Sequence, residues 1–204
     1  MLDYKQKYIV FDTETEGLNL HSSRPWQIAW IVCQGYNVLE THNRFLSFND
    51  LDVPDVVKKL TGFSWDVYNK KKEPPKKVLE DFESYIYDPQ YKIIGQNLLG
   101  FDVYMISQLQ RMFGKKVDYS YLDRILDTRA LGKAHKEGLD KPKDNFLSWQ
   151  YKIINDRSLK AKVSQNQLLK YFGIEFEESK LHDALYDIQM CYNVFCELKK
   201  VMNL

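Results

Sequence analysis

One run constrains this chain more than any other: Tyr8-Ile9-Val10-Phe11 leads straight into Asp12-Thr13-Glu14, and Thr15-Glu16-Gly17 then breaks it. Four apolar residues ending in two acids read as a central strand that delivers carboxylates to the edge of a sheet. Side chains alternate along a strand, so Asp12 and Glu14 share one face, with Tyr8 and Val10 before them on it. Carboxylates placed that close repel one another unless positive charge sits between them, and hard, oxygen-seeking divalent cations suit the position. A polar strand end running into a turn gives the same local pattern, so the choice falls to the rest of the chain.

Around that run the chain alternates strands and helices. Strand one is expected over 6–12, a second over 25–33 and a third over 38–48, with Gly35-Tyr36-Asn37 as the connector, making an antiparallel meander. Pro54 opens a short helix, 55–60, that Gly62 stops. The Lys-rich stretch 69–72 reads as a solvated loop. Pro74-Pro75 opens a helix with Val78, Leu79, Phe82, Tyr85 and Ile86 at helical spacing. Residues 91–95 are a short buried strand, a helix runs from about 99 to 113, and 124–128 is a fifth strand with a helix after it. Residues 135–162 show no clean period. Ser164 and Gln167 form a capping-box pattern ahead of Leu168 and Leu169, and Gly173 stops that helix. The last helix is expected over 181–201. Three strands followed by helices alternating with two strands argue an α/β or α+β layer fold around one mixed sheet.

Composition narrows the partners. The 204 residues are 44% hydrophobic with a formal net charge of +1, which argues against both disorder and a strongly basic binding protein. Charge is unevenly spread, however. Residues 58–77 hold seven Lys against Asp66 and Glu73, and 129–162 hold nine Lys or Arg against four acids, about +5 each. If bound cations neutralise the site acids, the working surface suits a polyanion. Cys33, Cys191 and Cys196 follow no metal or disulfide spacing. With no signal peptide or membrane span in view, a reducing, cytoplasmic setting is expected.

Two further acids fall where ligands collect. Asp102 follows Gln96-Asn97 at a strand end and opens a helix. Asp187 lies at the margin of the last helix's apolar stripe, with His182 near the start of that helix. Asp183 is four residues from Asp187 and competes for the role.

Phe11-Asp12-Thr13-Glu14-Thr15-Glu16-Gly17-Leu18, Asn97-x-x-x-Phe101-Asp102 and His182-x-x-x-x-Asp187, in this order and spacing, resemble the three motifs of the DEDDh (DnaQ-like, proofreading-type) 3′–5′ exonucleases of the ribonuclease H-like superfamily. Leu60-Thr61-Gly62-Phe63-Ser64 and Leu126-Asp127-Thr128-Arg129-Ala130-Leu131 resemble that family's intermediate segments. The likeness covers roughly 6–132 and 164–200. Two departures stand out: Gln96 where many members carry His, and a segment 133–163 that does not map. Asp183 replaces the Tyr that would mark the related tyrosine group.

The resemblance implies a ribonuclease H-like α/β fold with a central five-stranded mixed sheet, in one domain over 1–204. It implies Asp12, Glu14, Asp102 and Asp187 as acids holding two divalent cations, Mg²⁺ with Mn²⁺ able to substitute. Such a pair supplies a hydroxide nucleophile and neutralises charge on the phosphate and departing oxygen. His182 is implied as general base. Thr13, Thr15, Leu18 and Phe101 are candidates for gripping the terminal nucleotide. Nothing evident reads base edges, so weak sequence preference is expected, with aromatic stacking and Lys/Arg contacts from 69–77 or 133–162 supplying affinity for single strands. The expected function is hydrolysis of terminal linkages of single-stranded DNA or frayed 3′ ends, releasing nucleoside monophosphates. The alternatives are an exoribonuclease or oligoribonuclease, or an inactive nucleic-acid-binding module. A polymerase or other replication or repair protein is a candidate partner.

Overall fold

The computed structural model describes residues 5–204. Its sheet has six strands: β1 (Lys7–Thr15), β2 (Pro25–Gln34), β3 (Asn37–Leu46), β4 (Lys72–Glu73), β5 (Tyr91–Gly95) and β6 (Ile125–Asp127), in the spatial order β4-β3-β2-β1-β5-β6. The first three strands form the expected antiparallel meander, and β5, β6 and β4 each pair in parallel with a neighbour. The sixth strand is the two-residue β4 at the edge.

Eight α-helices complete the described chain: α1 (Asp55–Thr61), α2 (Trp65–Lys71), α3 (Pro75–Ile86), α4 (Asp102–Met112), α5 (Thr128–Lys136), α6 (Phe146–Asn155), α7 (Gln165–Tyr171) and α8 (Ala184–Met202). The Lys-rich stretch is therefore not a loop. Residues 69–71 close α2 and residue 72 opens β4. Ser64 starts α2 by accepting from Val67 N, and Tyr68 is buried beneath it with its hydroxyl donating to Leu46 O. One buried aromatic under a run of solvated lysines gives almost no apolar stripe.

Alternation along β1 divides the core in two. Tyr8 and Val10 join Ala29, Ile31 and Cys33 under Ile188, Cys191 and Phe195 of α8. Ile9 and Phe11 join Ile28, Trp30 and Val32 under Val78 and Phe82 of α3 and Val103 and Ile106 of α4. Burial on both faces explains why β2 reads as a continuous apolar run rather than an alternating one. The acid-bearing face of β1 is thus the α8 face, and that places Asp187 over it.

Two helix starts matter for the site. The chain from Leu98 to Gly100 is one turn of 3₁₀ helix, and α4 begins at Asp102 itself. Asn97 holds φ 66°, and a Cβ at Gly100 would collide with its side chain, so glycine fixes the approach to Asp102. The last helix begins at Ala184, not 181, because His182 stands at φ 75° and Asp183 caps the helix by accepting from Tyr186 N at 2.9 Å. The capping box at Ser164 and Gln167 forms as expected. The three cysteines are buried and free. Among the described residues no helix is long and apolar enough to cross a membrane.

Candidate active site

Strand β5 pairs with β1 only as far as Val10↔Ile94, so Asp12, Thr13 and Glu14 run on past its end while staying paired with β2. This is the point where the sheet changes from antiparallel to parallel neighbours, a crevice in which ligands collect. Thr13 N–H has no β5 partner there and donates instead to Asp102 Oδ1 at 3.0 Å; Thr13 Oγ1 donates to the same oxygen at 2.6 Å. Thr13 lies on the opposite face of the strand from Asp12 and Glu14 and ties the first turn of α4 to it. Asp102 is 3% exposed and has one oxygen left outside these bonds.

Asp187 comes from the first turn of α8. Its Oδ2 accepts from His182 N at 3.0 Å, and its Oδ1 from Gln165 Nε2 at 3.3 Å, while the same Gln165 nitrogen donates to Asp187 O at 3.0 Å. The left-handed turn at His182 therefore wraps back onto Asp187 and leaves the imidazole exposed. Asp183, the competitor for the role, spends its carboxylate on the helix cap.

Burial holds all four acids toward the protonated form, and at Asp12 and Glu14 the charges of the other acids add to it. Burial, then the charges of Asp102, Glu14 and Asp187, push Asp12 well above the usual carboxylate range. Burial and the charges of Asp187, Asp102 and Asp183 push Glu14 up to about 8. Burial raises Asp102 to about 7 against the opposing bonds from Thr13. Burial raises Asp187 against the His182 N–H. Among the described residues, none of these four acids is in an ion pair. Four acids held toward protonation by burial, with no Lys or Arg paired to any of them, have the chemistry that suits hard cations. No three His, Cys, Asp or Glu side chains among the described residues already stand in convergent metal-binding geometry. Magnesium does not demand such a cage: it is ordinarily held by one or two carboxylates and keeps several waters.

A cavity of about 320 Å³ opens at the cluster, lined by Asp12, Asp187, His182, Gln165 and Asn166 among others. The structure brings Asp12, Glu14, Asp102 and Asp187 within electrostatic reach of one another and puts His182 on the same cavity as Asp12 and Asp187. The nucleotide-gripping candidates do not line that cavity, and neither do Glu14 and Asp102. Thr13 is committed to Asp102, and Thr15 Oγ1 donates to Gly17 O at 2.6 Å. Leu18 is 87% exposed on the turn after β1. Phe101 precedes α4, and none of these four lines the cavity.

Several site residues went unassigned in the sequence. Gln165 and Asn166 follow the capping serine of α7, and the capping box marked the helix without marking what its first turn faces. Asp127, inside a quoted motif, is fully buried. It accepts from Asn97 N, Leu99 N, Arg129 N and Ala130 N at 2.9–3.3 Å, anchoring the turn that leads to Asp102. Gln96, the departure from the family's His, accepts from Thr128 Oγ1 at 2.6 Å and donates to Val163 O at 2.8 Å. It is a tether between β5 and the segment ahead of α7.

The fold is shared with solved structures. *E. coli* exonuclease I in complex with a dA16 oligonucleotide matches with a TM-score of 0.75 at 20% identity over 97% of this chain. An apo exonuclease I matches at 0.74, 18% and 98%. A zinc ion bound form of the *E. coli* enzyme with single-stranded DNA matches at 0.70, 21% and 96%. This chain spans only about two fifths of those chains, 42%, 43% and 40%. Among curated proteins no sequence match is found. The model of the RNase T exonuclease family matches residues 9–195. With the acids of β1, α4 and α8 gathered at one crevice of a ribonuclease H-like sheet, the chain belongs to the RNase T exonuclease family.

Proposed function

We propose that this chain is a divalent-metal-dependent 3′–5′ exonuclease that removes nucleoside monophosphates from single-stranded DNA or frayed 3′ ends. The observation that carries the reading is the convergence of Asp12, Glu14, Asp102 and Asp187 past the end of β5, with no Lys or Arg paired to any of them. The family match supports the reaction class, and the oligonucleotides in the matching exonuclease I complexes support the substrate class.

Asp12, Glu14, Asp102 and Asp187 would hold the cations, Mg²⁺ in the working enzyme, two by the family's pattern. When bound, these supply countercharge to the phosphate and departing oxygen and a water acidic enough to attack. The chain's own residues do the rest. Thr13 fixes Asp102 through its backbone and hydroxyl together, so the α4 carboxylate keeps its place against β1. Gln165 and the His182 N–H fix both oxygens of Asp187. That leaves the His182 imidazole as the exposed, movable group beside Asp12 and Asp187. A ring nitrogen of His182 takes the proton of the attacking water and passes it to solvent.

The test is degradation of 5′-end-labelled single-stranded DNA and RNA with Mg²⁺ or Mn²⁺, by the unaltered protein and by Asp12→Ala. A ladder shortening from the 3′ end of DNA, absent in the variant, is expected. Cutting of a circular strand, or a ladder that persists in Asp12→Ala, contradicts the reading. A ladder on RNA alone moves the substrate to ribonucleotides.

A further inference from the structure

Beside the acid cavity lies a second cleft of about 360 Å³ with the opposite charge. Gln96 and Ser164 line both, so the two adjoin at that shared wall. The second cleft carries Arg129 and Lys133 from α5 and Lys162 from the segment ahead of α7, and no acid lines it. None of the three cations is in an ion pair among the described residues. Lys133 is only 8% exposed, yet its Nζ donates to a neutral group, Asp156 O, at 2.7 Å. The Asp156 carboxylate acts on Lys133 through its charge alone, its Oδ1 accepting from Ser158 N at 2.8 Å, and Glu137 Oε1 accepts from Ala161 N. No carboxylate lines the cleft itself, which leaves that side of the ammonium open to an anion.

The cleft walls are fixed. The Gln96 bridge ties β5 to Val163, and Lys136 Nζ donates to Lys162 O at 2.8 Å, holding the Lys162 backbone against α5. The three cations therefore project from fixed backbone rather than from a free loop.

We propose that this cleft is a phosphate track for the upstream strand: Arg129, Lys133 and Lys162 hold the backbone phosphates on the 5′ side of the linkage that sits at the acids. The proposal rests on the exonuclease reading above. A strand held by its last linkage has one nucleotide beyond the acids and every other phosphate behind them. A basic cleft adjoining the acid cavity matches that arrangement of charge. It also gives the basic segment 129–162 a role distinct from the Lys-rich 69–77 stretch, which lines neither cavity.

The test compares two substrates on Arg129→Glu/Lys162→Glu. Both residues are exposed and neither side chain donates a hydrogen bond in the structure; a glutamate in the first turn of α5 suits that helix end. One substrate is a 20-nucleotide single strand, the other the p-nitrophenyl ester of thymidine 5′-monophosphate, which has no upstream phosphate. For the oligonucleotide, KM should rise about tenfold or more at low salt. The slope of log(kcat/KM) against log[salt] should shrink by about 1.4, or about 0.7 for each lost single-strand contact. Hydrolysis of the ester should stay within about twofold of the parent. An unchanged oligonucleotide KM and salt slope overturns the track, as does an equal loss on both substrates. So does transfer of the effect to Lys59→Glu/Lys180→Glu, in the cavity on the other side of His182. A parent protein that shortens no oligonucleotide from its 3′ end instead overturns the reading beneath it.

Discussion

Asp12 lies on β1 just past its pairing with β5, Asp127 ends β6 on the other side of β5, and the fold treats them in opposite ways. Asp127 is fully buried and accepts from four backbone N–H groups. Each of those bonds favours its charged form and offsets part of the cost of burial. Asp12 is offered little but other acids: the charges of Asp102, Glu14 and Asp187 add to the effect of burial, and one backbone bond opposes them. The first carboxylate is complete within the protein and organises the turn to Asp102. The second is incomplete within the protein, which suits it to the cation-binding role proposed for it. Between them stands Asp102, one oxygen satisfied by Thr13 and the whole group still raised to about 7.

The largest effect expected from this contrast is on stability. Asp127→Ala strands four N–H groups around a fully buried site and should cost about 3–5 kcal/mol in chemical denaturation. Asp12→Asn removes a charge from a repelling cluster and should leave stability unchanged or raised. A destabilised Asp12→Asn beside an untroubled Asp127→Ala would reverse the two roles.

Acidity sharpens the same contrast. The folded-state values of Glu14, about 8, and Asp102, about 7, lie above their ordinary values of 4.5 and 3.8. The native state therefore binds protons more tightly than the unfolded chain between about pH 4 and 8. Their contribution to stability is complete below about pH 4 and is lost as pH rises through 7 and 8. Protein stripped of divalent ions should accordingly lose Tm across that window, and added Mg²⁺ should restore it most at the alkaline end. A Tm in chelator that is flat or rising from pH 5 to 8 would mean that the acids do not repel as the structure has them.

Smaller effects belong to the residues that hold the ligands. Thr13→Val keeps the backbone bond to Asp102 and deletes the 2.6 Å hydroxyl bond. About 1–1.5 kcal/mol of positioning is at stake, corresponding to roughly a tenfold fall in kcat. Gln165→Ala releases a longer contact with Asp187, 3.3 Å, and should cost only a few-fold, read as a raised Mg²⁺ concentration for half-maximal rate. Equal losses in the two variants would show that Asp102 and Asp187 are held with similar firmness.

How far this contrast was legible in the sequence follows from its physics. The acids announced themselves because each sits where chain geometry gives a short motif: after an apolar strand, at a helix start, and five residues past a histidine. The meander, α3, β5 and the capping box of α7 were legible for similar reasons, since local pattern and tertiary role agree. Helix α6 was hidden because it packs on several clusters at once. Leu147, Tyr151 and Ile154 face the β1–α3–α4 core, Phe146 and Trp149 face the α8 core, and Ile153 joins Ala130 and Ala134. Its apolar residues are divided among three clusters rather than laid on one, and the helix is only ten residues long. Strand β4 is too short to alternate. The start of α8 was read three residues early because leucine at 181 fits the stripe, while the left-handed turn at His182 is set by its bond to Asp187. Asp127 carried no local sign of its four partners, which come from two separate segments. The basic segment was visible as charge, but which lysines border the acid cavity depended on how α5 and the segment ahead of α7 fold together.

The central claim is that Asp12, Glu14, Asp102 and Asp187 jointly bind catalytic cations. A crystal soaked with Mn²⁺ and a nucleoside 5′-monophosphate tests it most directly, through anomalous scattering. The account predicts Mn²⁺ peaks at the crevice past β5, with Asp12 among the ligands and the phosphate beside them. Peaks elsewhere, or none at saturating Mn²⁺ with Asp102 and Asp187 turned away from Asp12, would contradict it.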